Sequence, residues 1–420
     1  ATHGVADAVE TVTVRHATKG VSRITIKTYD QGRERWQGET INFCIAEGQR
    51  VQFADGRYVP IENVRPGDRV LSMDEKGGRV ERTVLATHDR GVRPIVEAEL
   101  SRGPWLRMTP DHEVFVGARK KCTIDKAKRV YTIPGEWEPA EANSSLEDAY
   151  FAWAGLVLAE GTVKSRKVTM AEGPAILAAI ALLPEGARVR KKIFAPKHDH
   201  VPDWFLGWPS FWERIPPGLA REKAVPEWIF TATNANIATI LSYLYAGDGW
   251  AAGHAVSYAT TSRTLAEQVS VLLWRFGVRS SISRRPATRR WREQWWVQIS
   301  SAEHVLRFAE RIGIVGKEDA VYTVAREAQR RVESSSARAQ HLCGRSPRTT
   351  DAMVAAFRRA NARSKDRYAQ VQSVTPVGEA RVYDLSVEKN HKFVVGLGVV
   401  SNCWFDEEPP PEIYSEGLTR

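Results

Sequence analysis

Short apolar runs alternating with polar positions fill the first third of the chain. They begin with SRITIKTYDQGRERWQGETINF, residues 22–43, and continue through RVQFADG, VPIENVRPGDRVLSM and PWLRMTPDHEVFVG, broken throughout by Gly, Pro and Asp. A period of two bounded by turn residues predicts strands, so the stretch from Cys44 to about Val116 reads as all-β. The period lengthens to that of a helix at LEDAYFAWAGLVLAEGTV, at NANIATILSYLYAGDGWA and at TSRTLAEQVSVLLWRFGV. Strand-like HAVSYAT and RRWREQWWVQIS separate or follow these helices, and Leu146 to about Arg330 therefore reads as an α+β domain. Residues 331–367 are polar and basic, with one amphipathic run, DAMVAAFRRANAR, and read as a linker or peripheral helix. Alternation returns at YAQVQSVTPVGEARVYDLSVE and runs on through HKFVVGLGVVSN. The order predicts an α+β block inserted within an all-β domain.

Composition narrows this picture only a little. At 420 residues, 43% hydrophobic and 26% charged, the chain has the balance of a globular protein of two or three domains. Its net charge of +10 points to an anionic partner, most often nucleic acid. No apolar run approaches the roughly 18 to 20 residues that span a bilayer, and the first residues lack a secretory layout, so a cytoplasmic location without membrane contact is expected. Cys44, Cys122, Cys343 and Cys403 are scattered without a C-x-x-C pair, which indicates neither a disulfide framework nor a zinc site.

Chemistry enters at the two ends of the interruption. CIAEGQRVQFADG (Cys44–Gly56), LRMTPDHEVF (Leu106–Phe115) and VYDLSVEKNHKFVVGLGVVSNC (Val382–Cys403) occur in this order, with a cysteine at each junction and Asn402 directly before the second. The set resembles the splicing motifs of inteins. The resemblance implies an all-β Hint splicing domain of horseshoe form, built from residues 44–140 and 368–402, between host segments 1–43 and 403–420. In that scheme the Cys44 thiol exchanges the peptide bond after Phe43 for a thioester, the role for which a thiol is suited. His112 protonates the departing Cys44 nitrogen and Thr109 orients the scissile amide. Cys403 takes the acyl group, and Asn402 cyclises to release the element; the partners in this reaction are the chain's own flanks and no cofactor is needed. Asp384 and His391 match the remaining motif positions, as support for the transfer step and as an acid–base group. One position departs: the family usually has His before the terminal Asn, and here it is Ser401.

Within the insert, WAGLVLAEG (Trp153–Gly161) and LSYLYAGDG (Leu241–Gly249) place Glu160 and Asp248 88 residues apart, each closing a helix with small residues one turn or so earlier. The pair resembles the LAGLIDADG motifs of DOD-type homing endonucleases, the two halves sharing one chain. That resemblance implies a monomeric nuclease acting on double-stranded DNA, the intein-less site of the host gene. Glu160 and Asp248 become ligands for Mg²⁺, a hard cation suited to oxygen donors. KAVPEWIF resembles the family's K-x-x-P segment and makes Lys223 a catalytic candidate, with Lys317 a weaker one. Arg284, Arg285, Arg289, Arg290 and Arg292, interleaved with Trp291, Trp295 and Trp296, are expected to grip phosphates.

The flanks, once joined, read TYDQGRERWQGETINF followed by CWFDEEPPPEIYSEGLTR. An apolar strand ending in Asp406-Glu407 has the form of a Walker B element, and the joined sequence resembles the ATPase of a phage terminase large subunit. No G-x-x-x-x-G-K-[ST] loop is present, so these residues are expected to be a host remnant.

Overall fold

The computed structural model describes residues 9–15, 21–29, 33–38, 44–142, 146–193, 201–289, 292–343, 367–389 and 391–401, with backbone alone for 9–38 and 335–343. Asn402, Cys403, Asp406, Glu407, Arg290 and Trp291 lie outside these residues.

Strands β1 (Val9–Arg15), β2 (Val21–Tyr29) and β3 (Arg33–Gly38) form an antiparallel three-stranded sheet. The all-β domain that follows contains β4 (Ile45–Ala46), β5 (Arg50–Gln52), β6 (Tyr58–Pro60), β7 (Arg69–Met73) and the long β8 (Arg79–Leu100). It continues with β9 (Leu106–Met108), β10 (Glu113–Phe115), β11 (Lys121–Thr123) and β12 (Arg129–Tyr131). Among the described residues the insert holds eight helices: α1 (Asp148–Glu160), α2 (Pro174–Ala181), the short α3 (Pro209–Trp212) and α4 (Glu227–Phe230), α5 (Asn234–Asp248), α6 (Arg263–Arg275), α7 (Ala302–Arg311) and α8 (Glu318–Cys343). Its strands are β13 (Gly161–Thr162), β14 (Lys167–Thr169), β15 (Arg188–Lys192), β16 (Asp203–Gly207), β17 (Gly249–Ala252), β18 (Ala255–Thr260), β19 (Ser281–Arg285) and β20 (Gln294–Ile299). The chain then re-enters the all-β domain as β21 (Tyr368–Val387), β22 (Lys392–Val395) and β23 (Gly398–Ser401).

The fold class is as expected, an all-β domain carrying an inserted α+β domain. The insertion points are adjacent, since Tyr131 at the end of β12 pairs with Tyr368 at the start of β21. One six-stranded sheet runs β11-β10-β23-β22-β5-β6, the other β12-β21-β4-β9-β8-β7. In the second, β8 also pairs with β21, which closes a ring β21–β4–β9–β8. The apolar positions of the alternating runs, among them Val51, Val114, Leu385, Phe393 and Val400, fill the core between these sheets.

Among the described residues each half of the insert opens with one helix, two strands, a second helix and two more strands. Their sheets run β13-β14-β16-β15 and β17-β18-β20-β19. The boundary expected at residue 330 falls inside α8, which continues to Cys343; the rest of the expected linker, 344–366, lies outside the described residues. No described helix is long and apolar enough to cross a membrane.

Candidate functional site

Cys44 opens β4 and is tied on both sides to Thr109. Its N–H donates to the Thr109 hydroxyl at 3.2 Å, and its carbonyl accepts from the Thr109 N–H at 3.0 Å. The Thr109 carbonyl takes the His112 N–H at 3.0 Å, closing a turn over Pro110 and Asp111, residue types that favour its two central positions. The Thr-x-x-His spacing is therefore a turn that brings a buried hydroxyl and a buried imidazole to the same end of β9.

On the far side of β4, Val382 pairs with Ala46 and Tyr383 with Ile45, so the next position in register sets Cys44 against Asp384. Asp384 in turn pairs with His88 on β8. Opposed residues of antiparallel strands share a face, with Cβ atoms about 4.5–5.5 Å apart. Cys44, Asp384 and His88 thus form one row across three strands. Sequence reasoning missed His88, because only the long-range β8–β21 register reveals it. Its Nε2 lies 3.0 Å from the Ser386 hydroxyl, and burial, with Arg90 nearby, lowers its pKa.

Cys44 is fully buried among Ala46, Ile95 and Val382. Burial first, then the Asp384 carboxylate, pushes its thiol up to about 12, against the opposing pull of Arg90 and Arg93. A thiol in this setting keeps its proton until something local removes it. Ser401 ends β23, directly opposite Lys392, and the same strand pairs with β10 at Val114–Val400. Ser401 therefore sits one step along the sheet from that pair, on the side from which His112 leads into β10. His391, with a left-handed φ of 52°, stands at the mouth of the same hairpin.

The second cluster lies between α1 and α5. A Cβ on Gly155 would come 2.5 Å from the Ile240 carbonyl, and one on Gly247 would come 2.6 Å from the Ala159 Cβ, so only glycine permits this approach at either point. The two helices end side by side at Glu160 and Asp248. Burial raises the pKa of both carboxyls, and in Glu160 the neighbouring Asp248 adds to it; Lys223 and Lys317 pull both down again. Lys223 donates to the Ala159 carbonyl at 2.8 Å, and burial lowers its pKa to about 8 despite both acids. Lys317 repeats the arrangement on α5, donating to the Tyr245 and Gly249 carbonyls at 3.3 and 2.6 Å. The weaker lysine candidate is thus the structural counterpart of the stronger. Two half-buried carboxylates at adjoining helix ends, with two lysines beside them, offer hard oxygen donors that fit a divalent cation. Among the described residues no cluster of three or more His, Cys, Asp or Glu accompanies them.

The arginine stretch divides. Arg285, on the open face of β19, stacks 4.5 Å over Trp296, which itself meets Trp250 edge-on at 5.0 Å. Trp295 instead enters the core and packs edge-on against Trp105 at 5.2 Å. Arg284 is ion-paired to Glu293, so its charge is partly spent within the sheet. Arg289 and Arg292 are exposed. Arg188, Arg190 and Lys192 were not anticipated: alternating about Val189 on β15, they lie on the open face of the other half. The R-V-R-K-K pattern itself carried that signal.

Residues 235–313, from α5 through α7, match the model of the LAGLIDADG-like domain. The chain is similar to the replicative DNA helicase DnaB of Rhodothermus marinus, 27% identical over 305 residues, covering 65% of this chain and 32% of the relative. It is also similar to the protein RecA of Mycobacterium tuberculosis, 25% identical over 468 aligned positions, covering 90% and 58% respectively. The chain thus spans between a third and three-fifths of these relatives' lengths. Among solved structures, a mutant of the Ssp DnaB mini-intein covers 86% of this chain at 10% identity and a TM-score of 0.30. The endonuclease I-DmoI, solved in complex with DNA and Ca, covers 39% at 13% identity and a TM-score of 0.28.

Proposed function

We propose that residues 44–402 are an intein that excises itself and joins its flanks, and that its insert cleaves double-stranded DNA at a specific site. The observation that carries the splicing reading is the row Thr109–Cys44–Asp384, which unites the two ends of the element across 340 residues of sequence. The relatives support it: the replicative DNA helicase DnaB and the protein RecA, two differently named proteins, each share only part of their length with this chain, as a mobile element common to different hosts requires.

The Cys44 sulfur attacks the Phe43 carbonyl carbon, the Phe43–Cys44 C–N bond breaks, and His112 delivers a proton to the leaving nitrogen. Thr109, bonded to that same N–H, holds the amide in place for the exchange. Asp384, beside the thiol, is placed to accept its proton. The Cys403 thiol then displaces Cys44 from the thioester. The Asn402 side-chain nitrogen attacks its own carbonyl carbon, the Asn402–Cys403 bond breaks, and the freed Cys403 amine captures the acyl group as an amide. With Ser401 in the penultimate place, His391 is the acid–base group for the Asn402 step.

In the insert, Glu160 and Asp248 would hold a divalent cation, Mg²⁺ in this reading, which supplies charge neutralisation at the scissile phosphate and acidifies its attacking water. Lys223 and Lys317 work against the burial that favours the neutral acids and add positive charge beside the phosphate. Arg285 with Trp296, and Arg188, Arg190 and Lys192 on the other half, hold the DNA backbone along the open sheet face. The host is an ATPase, with the Asp406-Glu407 flank favouring a terminase large subunit.

Mass spectrometry of freshly made full chain tests splicing: release of the 44–402 segment together with joined flanks is expected, and a single uncleaved mass on prolonged incubation rejects the proposal. For the nuclease, DNA carrying the uninterrupted host sequence should be cut in two with added Mg²⁺.

A further inference from the structure

The two halves of the insert are not equivalent where they meet the β domain. Helix α2 of the first half has eight residues, PAILAAIA, without a charged side chain. Its counterpart α6 has thirteen, and with the loop after it supplies the polar contacts to the β domain described next. At its N-terminal end, Arg263 bonds Glu97 of β8 at 2.7 Å and Glu267 at 2.8 Å, with its guanidinium 4.7 Å from the Trp105 ring and 5.3 Å from that of Trp295. At its C-terminal end, the Trp274 indole donates to the Ile133 carbonyl at 3.1 Å, and Gly135 lies so close to Trp274 that a Cβ there would meet its carbonyl at 2.6 Å. Arg279 is buried, donates to the Tyr368 carbonyl at 2.8 Å and also bonds the Thr132 hydroxyl. Thr132 and Tyr368 are the points where the chain leaves and re-enters the β domain. One guanidinium from the insert thus holds both strands of its own doorway.

None of these groups faces the carboxylate pair or the open sheet face, so DNA cleavage does not account for them. The hydrophobic core of the insert also runs on into the β domain through Tyr58, Trp105 and Leu397. We propose that the inserted domain has a second function, as a structural part of the splicing fold: α6 and Arg279 clasp β12 to β21, and splicing depends on that clasp.

The inference rests on the splicing reading for its second readout and not for its first. The experiment compares the full chain with Arg263→Ala/Arg279→Ala and with Arg279→Lys, following thermal unfolding in a Cys44→Ala background and splicing in the unblocked chain. The parent should melt in one cooperative transition. The double variant should melt in two, with splicing slowed on the order of tenfold, the consequence of losing a few charge-assisted bonds. Arg279→Lys should be intermediate, since an ammonium cannot reach both partners as a planar fork does. A double variant that melts as one unit, or that splices at the parent rate, overturns the proposal. If the parent does not splice at all, the splicing reading fails, and the unfolding curves alone decide the clasp: two transitions uphold it and one overturns it.

Discussion

The splicing centre and the carboxylate pair both depend on burial, but to opposite ends. At Cys44, burial and a neighbouring carboxylate combine to keep the nucleophile protonated, with two arginines only partly offsetting them. At Glu160 and Asp248, burial also favours the neutral acids, yet two lysines are brought in to hold the charge. The first arrangement suits a group that reacts once and must not react early. The second suits the proposed nuclease, which would bind a cation and turn over repeatedly. The sources of the residues differ in the same way: the splicing row is drawn singly from β4, β9, β21 and β8, whereas the carboxylate site is one lysine-braced helix end used twice.

The sharpest way to break this contrast is to remove the nucleophile. Cys44→Ala should reduce joined flanks to an undetectable level, while cleavage of DNA by the same protein stays unchanged. Ligated product on a gel, or a lost nuclease, would show that the two centres are not separate. Glu160→Gln or Asp248→Asn should lower Mg²⁺-dependent cleavage by about a thousandfold, since several kcal/mol of charge stabilisation go with the ligand. Band intensities on linear DNA measure this, with splicing by mass spectrometry expected to be unaltered.

A smaller effect distinguishes the electrostatics. In an Asn402→Ala background, thiol-induced cleavage before Cys44 should climb with pH from about 7 to about 9 without levelling, because the thiolate fraction grows about tenfold per unit below its pKa. The sign follows from the raised thiol: a pKa near 12 leaves the whole of that range on the rising limb. A plateau near pH 8 would show that Cys44 titrates as an ordinary thiol. The smallest change is expected at His88, whose replacement by Gln should slow the splicing steps by about threefold and flatten their decline below pH 6, as only an imidazole titrates there. A pH profile identical to the parent's would remove His88 from the row.

Much of this was legible in the sequence, for identifiable reasons. Alternation is a local signal, and it located the strands around Val51, Val114 and Val400; the small residues before Glu160 and Asp248 marked a close helix pair that Gly155 and Gly247 then required. Thr109 and His112 lie within one turn, so their spacing could be read directly. The partners that sequence reading missed lie far apart along the chain. His88 meets Asp384 only through a pairing that spans the whole insert; Lys317, already named as the weaker candidate, matches Lys223 only through the main-chain carbonyls that each bonds near its carboxylate. The arginine run gave charge without face: the structure pairs Arg284 with Glu293 and sets Arg188 and Arg190 on the open surface of the other half.

If residues 44–402 splice as proposed, the ring β21–β4–β9–β8 also governs when the reaction can begin during synthesis. The ribosome makes Cys44, Thr109 and His112 early, but β21 is translated some 250 residues after His112, once the whole insert has been made. Until then β4 lacks one of its two neighbours and Asp384 does not yet exist. Pairings of such long sequence separation form late, and domains generally complete as units in the order of translation. On the proposed splicing reading the nascent chain carries Cys44 without Asp384, and the position of the insert acts as a timer: the bond before Cys44 stays an ordinary amide until β21 has been made.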